Sequence, residues 1–239
     1  MQNPASHFEA DADLASLHAR PVIDESPCNQ PALVAARQPG KRKQFQAKET
    51  LYREGEQVGS VYLIRSGMVK LLSYLPNGRV RIVRLHGRAH CLGLEGLLRL
   101  PFEHTAVAVH DVEVEYFPIQ RLRRLQGEDP AKFTELLYQW HLYLRQADKW
   151  IAEFSTGEIK PRVARLLHFL AGFEQEEEQF GTFGLLTVEE IAEILGVTPE
   201  SVSRHLAEFK RTSVLRRDAG TTPKNYRIDT DRVAQEACR

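Results

Sequence analysis

Between Thr187 and Leu206 the chain carries two helix starts separated by one helix stop, an arrangement that few folds accept. Thr187-Val188-Glu189-Glu190 has capping-box spacing, in which hydroxyl and carboxylate each satisfy a backbone N–H that the first helical turn leaves unpaired. Ile191, Ala192, Ile194 and Leu195 then give that helix one apolar face. Gly196 ends it, because glycine enters the left-handed turn conformation without a side-chain penalty. Thr198 as N-cap and Pro199 at the first helical position start a second helix through Leu206. Two helices joined by so short a turn make a helix-turn-helix.

On the second helix Glu200, Ser203 and Arg204 share a face near the N-terminus, where a recognition helix meets base edges. Arginine can clamp O6 and N7 of guanine, glutamate can accept from cytosine N4, and serine serves either role. Most such triplets are solvated helix surface; the turn geometry is what makes these, with Thr198, candidate DNA contacts. Downstream, Val214 to Gly220 and Tyr226-Arg227-Ile228 read as a hairpin wing whose Arg216 and Arg217 would contact phosphates, which position a protein without specifying sequence. Thirty-two basic and 32 acidic residues leave no net charge, so a DNA-facing surface must come from local asymmetry. Arg204, Lys210, Arg211, Arg216, Arg217, Lys224 and Arg227, opposed only by Glu208 and Asp218, supply it.

Upstream of this unit, Phe133, Leu137, Trp140, Leu144, Ala147, Ile151 and Phe154 alternate four and three residues apart. That is an a/d heptad seam, the pattern of a two-stranded coiled coil, and it predicts a homodimer; the alternative is a helix packed on its own domain. Ser155 to Glu158 again has capping-box spacing and Pro161 suits a helix beginning, which places an interdomain hinge here. An amphipathic helix over residues 162–173 and an acidic loop, Glu174 to Glu178, follow.

Residues 44–117 have a different texture. Short β-rich runs at Val61 to Ile64, Val69 to Leu72, Val80 to Leu85 and Val112 to Phe117 are punctuated by Glu54-Gly55, Ser66-Gly67, Asn77-Gly78 and His86-Gly87, the spacing of an antiparallel sandwich or barrel. The first 43 residues lack sustained periodicity and end on Pro39-Gly40-Lys41-Arg42-Lys43, which reads as a mobile extension. The organisation is therefore α+β: extension 1–43, β domain 44–129, long helix 130–156 and DNA-reading domain 157–239. With 239 residues, 42% of them hydrophobic, the chain can bury a substantial core. No run approaches the ~20 apolar residues of a spanning helix and the start is not a signal peptide, so the expected compartment is the cytoplasm, with no membrane partner. Cys28, Cys91 and Cys238 lie too far apart for a disulfide framework or zinc ribbon and are expected as free thiols.

The order of parts, with Gly59-Ser60-Val61-Tyr62-Leu63-Ile64-Arg65-Ser66-Gly67-Met68-Val69, Asn77-Gly78-Arg79 and the stretch from Ile191 to Arg204, resembles the CRP/FNR superfamily of bacterial transcription regulators over roughly residues 44–232. The resemblance implies an N-terminal double-stranded β-helix (a cyclic-nucleotide-binding-like β-roll), a dimerisation helix and a C-terminal winged helix-turn-helix. Its implied partners are double-stranded DNA, a second copy of the chain, RNA polymerase and a small effector. Glu200-x-x-Ser203-Arg204 is similar to the FNR branch, which implies a palindromic site with TTGAT-like half-sites one helical turn, ~34 Å, apart. His205 departs from the family, standing where an apolar residue usually packs the recognition helix, and is expected as a partly buried, satisfied histidine.

The resemblance also frames the sensor. The cyclic-nucleotide branch holds ribose and phosphate with a Gly-Glu and an Arg-Ser pair, because a buried phosphate needs a fixed cation and donors. Here Gly93-Leu94-Glu95 displaces the acid by one position and His104-Thr105 replaces Arg-Ser, so Gly93, Glu95, His104 and Thr105 are effector candidates and cyclic AMP itself is not expected. An iron-sulfur cluster, which needs four cysteines, is not expected either. His90-Cys91 falls where haem-containing, carbon-monoxide-sensing members place an axial cysteine, although Gly93 stands where they carry histidine, so a haem-based gas sensor stays open beside an organic effector or a redox thiol. A rival of another class, a metal-dependent β-barrel enzyme using His86, His90 and Glu95, lacks the close HxH pair of cupin-like sites.

Overall fold

The computed structural model describes residues 40–174, 182–184, 186–217 and 225–238. Eight short strands build the roll: β1 Lys41–Phe45, β2 Thr50–Tyr52, β3 Ser60–Ser66, β4 Val69–Tyr74, β5 Val80–His86, β6 Cys91–Leu92, β7 Thr105–Ala108 and β8 Val112–Pro118. They form two four-stranded antiparallel sheets, ordered β1-β8-β3-β6 and β2-β7-β4-β5. Side chains alternate between the faces of a strand: on β3 Val61 and Leu63 are buried on the face that the following helices cover, and Ile64 on the other, where the two sheets close on Ile64, Val69, Ala106, Ala108 and Val114.

The four β-rich runs read from sequence all become strands, and Asn77-Gly78 turns β4 into β5, with Gly78 at φ 78° and Asn77 Oδ1 accepting from Arg79 N. Lys41-Arg42-Lys43, which the sequence places in the mobile extension, instead forms part of β1, paired with β8 along its length. Its charge is the reason that the sequence misleads, since an edge strand keeps basic side chains on its open side, and Arg42 pairs with Glu113 at 3.0 Å. Residues 1–39, the acidic run from Gln175 to Glu178 and the wing tip 218–224 lie outside the described residues.

Helix α1, Ile119–Glu128, follows the roll and buries Ile119, Leu122 and Leu125. Asp129 caps the next helix and Pro130 opens it: α2, Pro130–Ser155, runs 26 residues. Beyond the hinge come α3 Ile159–Glu174, β9 Thr182–Gly184, α4 Val188–Leu195, α5 Pro199–Arg211, β10 Leu215–Arg217, β11 Asn225–Ile228 and α6 Thr230–Ala237, with β10-β11-β9 forming the sheet of the wing. Among the described residues no helix is long and apolar enough to cross a membrane.

The heptad seam divides. Leu136, Tyr143, Trp150 and Phe154 form the buried face of α2, against its own chain. Phe133, Leu137 and Trp140 lean on the roll core. Phe154, fully buried, meets Trp150 and Phe169 inside the core of the DNA-reading domain. Leu144 and Ile151 are 52% and 60% exposed, one heptad apart, and Ala147 lies half-buried between them.

Candidate functional site

The helix-turn-helix is built by local chemistry. Glu190 N donates to Thr187 Oγ1 at 3.2 Å and Thr187 N donates to Glu190 Oε2 at 2.8 Å, completing the capping box of α4. Gly196 takes φ 65°, ψ 36°, and Thr198 caps α5 by accepting from Ser201 N. Val202, Leu206 and Phe209 face the core, which turns Glu200, Ser203 and Arg204 outward together. Thr198 is exposed at the same helix end. Arg216 is exposed on β10, while the side chain of Arg217 lies outside the described residues. His205 is half-buried and its Nδ1 has no hydrogen-bond partner among the described residues, standing 3.8 Å from Glu208, which departs from the satisfied histidine the sequence suggests.

A second site lies in the roll. A cleft partly open to solvent is lined by Tyr52, Leu71, Arg84, His86, Glu95, Glu103 and His104, with Cys91 to Leu94 on one side and Trp140 and Tyr143 of α2 on another. Gly93, Glu95 and His104 thus come together as the sequence suggested. Thr105 does not line the cleft; its Oγ1 accepts from Glu54 N at 3.1 Å and holds the preceding loop. Gly93 has φ 85°, and a Cβ there would press on Ser60 O and Phe102. Sequence reasoning missed Arg84, Trp140 and Tyr143, which come from β5 and a helix more than fifty residues away.

The donor set does not fit haem. Cys91 lines the cleft but His90 does not, and His90 Nδ1 is engaged with His86 Nδ1 at 3.3 Å. The walls carry Arg84, Glu95, Glu103 and His104, whereas a porphyrin needs a broad apolar slot. Nor do the described residues group three or more metal-ligating side chains, as the metalloenzyme reading required.

Burial holds the His86 imidazole neutral, well below its ordinary pKa, with His90, Arg84 and His104 acting in the same direction, and burial pushes His90 down to about 4. An unfolded chain binds protons at these histidines from about pH 6.5 downward while the folded chain refuses them, so stability falls as pH drops from about 7 toward 4. His86→Leu should therefore lose less of its urea midpoint between about pH 7 and about pH 5 than the parent protein does, an effect read by paired denaturation curves.

Roll, helix and DNA-reading domain are joined by hydrogen bonds, most of them charge-assisted. Tyr143 OH accepts from Cys91 N at 2.7 Å, tying α2 to the cleft wall. At the far end of α2, the buried Arg162 donates to Phe154 O at 2.8 Å and to Leu195 O, capping the C-termini of α2 and α4 with one guanidinium. From the roll, Arg81 donates to Ile194 O at 3.0 Å, and Lys70 pairs with Glu190 at 2.7 Å with both side chains about 15% exposed. Burial raises the Glu190 carboxyl, yet Lys70 and the Thr187 cap together outweigh it and hold the group below its usual range. A Cβ on Gly196 would overlap the Arg81 guanidinium, so this glycine serves close approach as well as the turn. Arg81→Gln should loosen the contact by about 1–2 kcal/mol, seen as faster amide exchange over residues 191–196 with the roll unchanged.

A roll whose cleft is closed by a long helix, followed by a winged helix-turn-helix docked on the same roll, defines a class: transcription regulators that couple a nucleotide-binding-type domain to DNA. The family models agree, with residues 42–129 matching the cyclic nucleotide-binding domain and 161–227 the Crp-like helix-turn-helix domain. The chain belongs to the CRP/FNR family of transcription regulators. Transcriptional regulator LdrP of Thermus thermophilus is 30% identical over 201 residues, covering 82% of this chain and 96% of LdrP. The anaerobic regulatory protein of Haemophilus influenzae is 24% identical over 181 residues, 73% of this chain and 69% of that protein. Among solved structures, FixK2 from Bradyrhizobium japonicum superposes with a TM-score of 0.72 at 23% identity over 82% of this chain and 96% of its own. A CRP-family transcriptional regulator from Thermus thermophilus gives 0.68 at 25% identity, covering 82% and 97%. Its relatives are regulators rather than enzymes.

Proposed function

We propose that the protein works in the cytoplasm as a homodimer that reads a palindromic TTGAT-like site through Thr198, Glu200, Ser203 and Arg204, and that an effector in the roll cleft sets its DNA affinity. The observation carrying the DNA assignment is the turn itself: capping box, left-handed Gly196 and capped α5 expose Glu200, Ser203 and Arg204 as one polar face. Arg216 and Arg217 on the wing strand add phosphate contacts, and a promoter-bound dimer would present its remaining surface to RNA polymerase.

The route of control follows the contacts. Trp140 and Tyr143 of α2 line the cleft, so an occupant touches roll and helix at once. The other end of α2 is held by Arg162 to α4. An occupant with different affinity for two settings of α2 would therefore bias the recognition helices, and one with equal affinity would do nothing. The test is a titration of the purified protein against a duplex with two TTGAT-like half-sites and against a scrambled duplex, at fixed salt. Preference for the palindrome by about a thousandfold or more supports the reading; equal affinity for both overturns it.

A further inference from the structure

Arg84 projects from β5 into the cleft, and among the described residues no hydrogen bond or ion pair engages its guanidinium. Glu95 and Glu103 stand within Coulombic reach but do not bond to it, and burial lowers the pKa of a group that proteins normally surround with partners. Beside it His86, 1% exposed, leaves Nε2 without a hydrogen-bond partner. The 3.3 Å contact between His86 Nδ1 and His90 Nδ1 needs one proton between them. If His90 supplies that proton, the neutral His86 carries its own on Nε2, as a donor at the cleft wall.

We propose that the cleft takes a small ligand bearing an oxyanion, carboxylate or phosphate, anchored by the Arg84 guanidinium and a hydrogen bond from His86 Nε2. The inference rests on the reading of this cleft as the effector site and adds the chemical class of the effector. A half-buried cation and a buried nitrogen without a partner stand on one wall, and such a group would satisfy both. His104, kept neutral mainly by burial and next by Arg84, cannot provide the cation at the position where the nucleotide-binding pattern has arginine. Arg84, from β5, moves that charge to another part of the wall. Burial shifts the Glu95 carboxyl upward, which favours its neutral form beside such a ligand.

The test titrates the full-length protein at constant ionic strength with inorganic phosphate, acetate and cyclic AMP, following Trp140 fluorescence and the thermal midpoint. At least one anion should saturate and raise the midpoint, Arg84→Gln should weaken it by about tenfold to hundredfold, and Arg84→Lys should restore part of the loss. The ligand-free Arg84→Gln protein should melt no lower than the parent, because no hydrogen bond or ion pair among the described residues holds Arg84. Tightest response to cyclic AMP would identify a nucleotide; response to phosphate or acetate alone would identify a small acid. No saturable response to any of the three, or equal responses in parent and Arg84→Gln, overturns the proposal. DNA titrations with the same anions separate the two readings: anion binding that needs Arg84 but leaves DNA affinity unchanged keeps the anion site and removes the effector role.

Discussion

Arg204→Ala is expected to abolish site-specific DNA binding while leaving the oligomeric state and the fold intact. Arg204 is exposed, whereas Val202, Leu206 and Phe209 on the opposite face of α5 are buried, so truncation removes no packing. A bidentate arginine–guanine contact discriminates by about 1–3 kcal/mol, and a palindrome uses two, which raises Kd for the specific duplex by about 30-fold to 10⁴-fold. Binding to scrambled DNA should fall far less, because that term is phosphate neutralisation spread over many cations. Arg216→Ala is the contrast: on the wing strand it should weaken all sequences alike. Fluorescence anisotropy against both duplexes, with sedimentation of the free protein, reads each effect, and specific binding that survives Arg204→Ala removes α5 as the base-reading helix.

What was legible in the sequence was local. The capping box at Thr187 and Glu190, Gly196 and the Thr198-Pro199 start each act within four residues, and the structure forms them as read. The roll was legible from its β-branched runs and turn glycines. Helix α1 was not, because Arg121, Arg123 and Arg124 crowd a short apolar stripe, although Arg123 turns back to donate to Gly96 O. The cleft was half legible: Gly93, Glu95 and His104 came through the family pattern. Arg84 sits on a strand whose alternation says only that it faces one side of a sheet, not what closes over it. The docking of α4 onto β4 and β5, through Arg81 and Lys70, joins residues more than a hundred positions apart, and no local rule reaches that far.

The seam of α2 shows the same limit and yields the second large expected effect. Periodicity shows that a stripe is apolar but not which neighbour covers it, and here the chain's own core takes only part of the stripe. Phe154 belongs to the chain's own core, so Phe154→Ala should destabilise the protomer by about 3–5 kcal/mol in a denaturant melt. Among the described residues Leu144 and Ile151 stay more than half exposed, and a second copy would supply the cover. The double variant Leu144→Glu with Ile151→Glu places four carboxylates along a twofold seam and removes four apolar side chains from it. Even half-burial of each, at about 1 kcal/mol per side chain, with repulsion added, should weaken the dimer by about 10³-fold or more. Sedimentation equilibrium should then find monomers with the parent protein's melting behaviour, and those monomers should lose the affinity that two linked half-sites confer. A variant that stays dimeric would place the twofold contact away from this face of α2. A variant that unfolds would show that these side chains hold the protomer itself, contrary to their exposure.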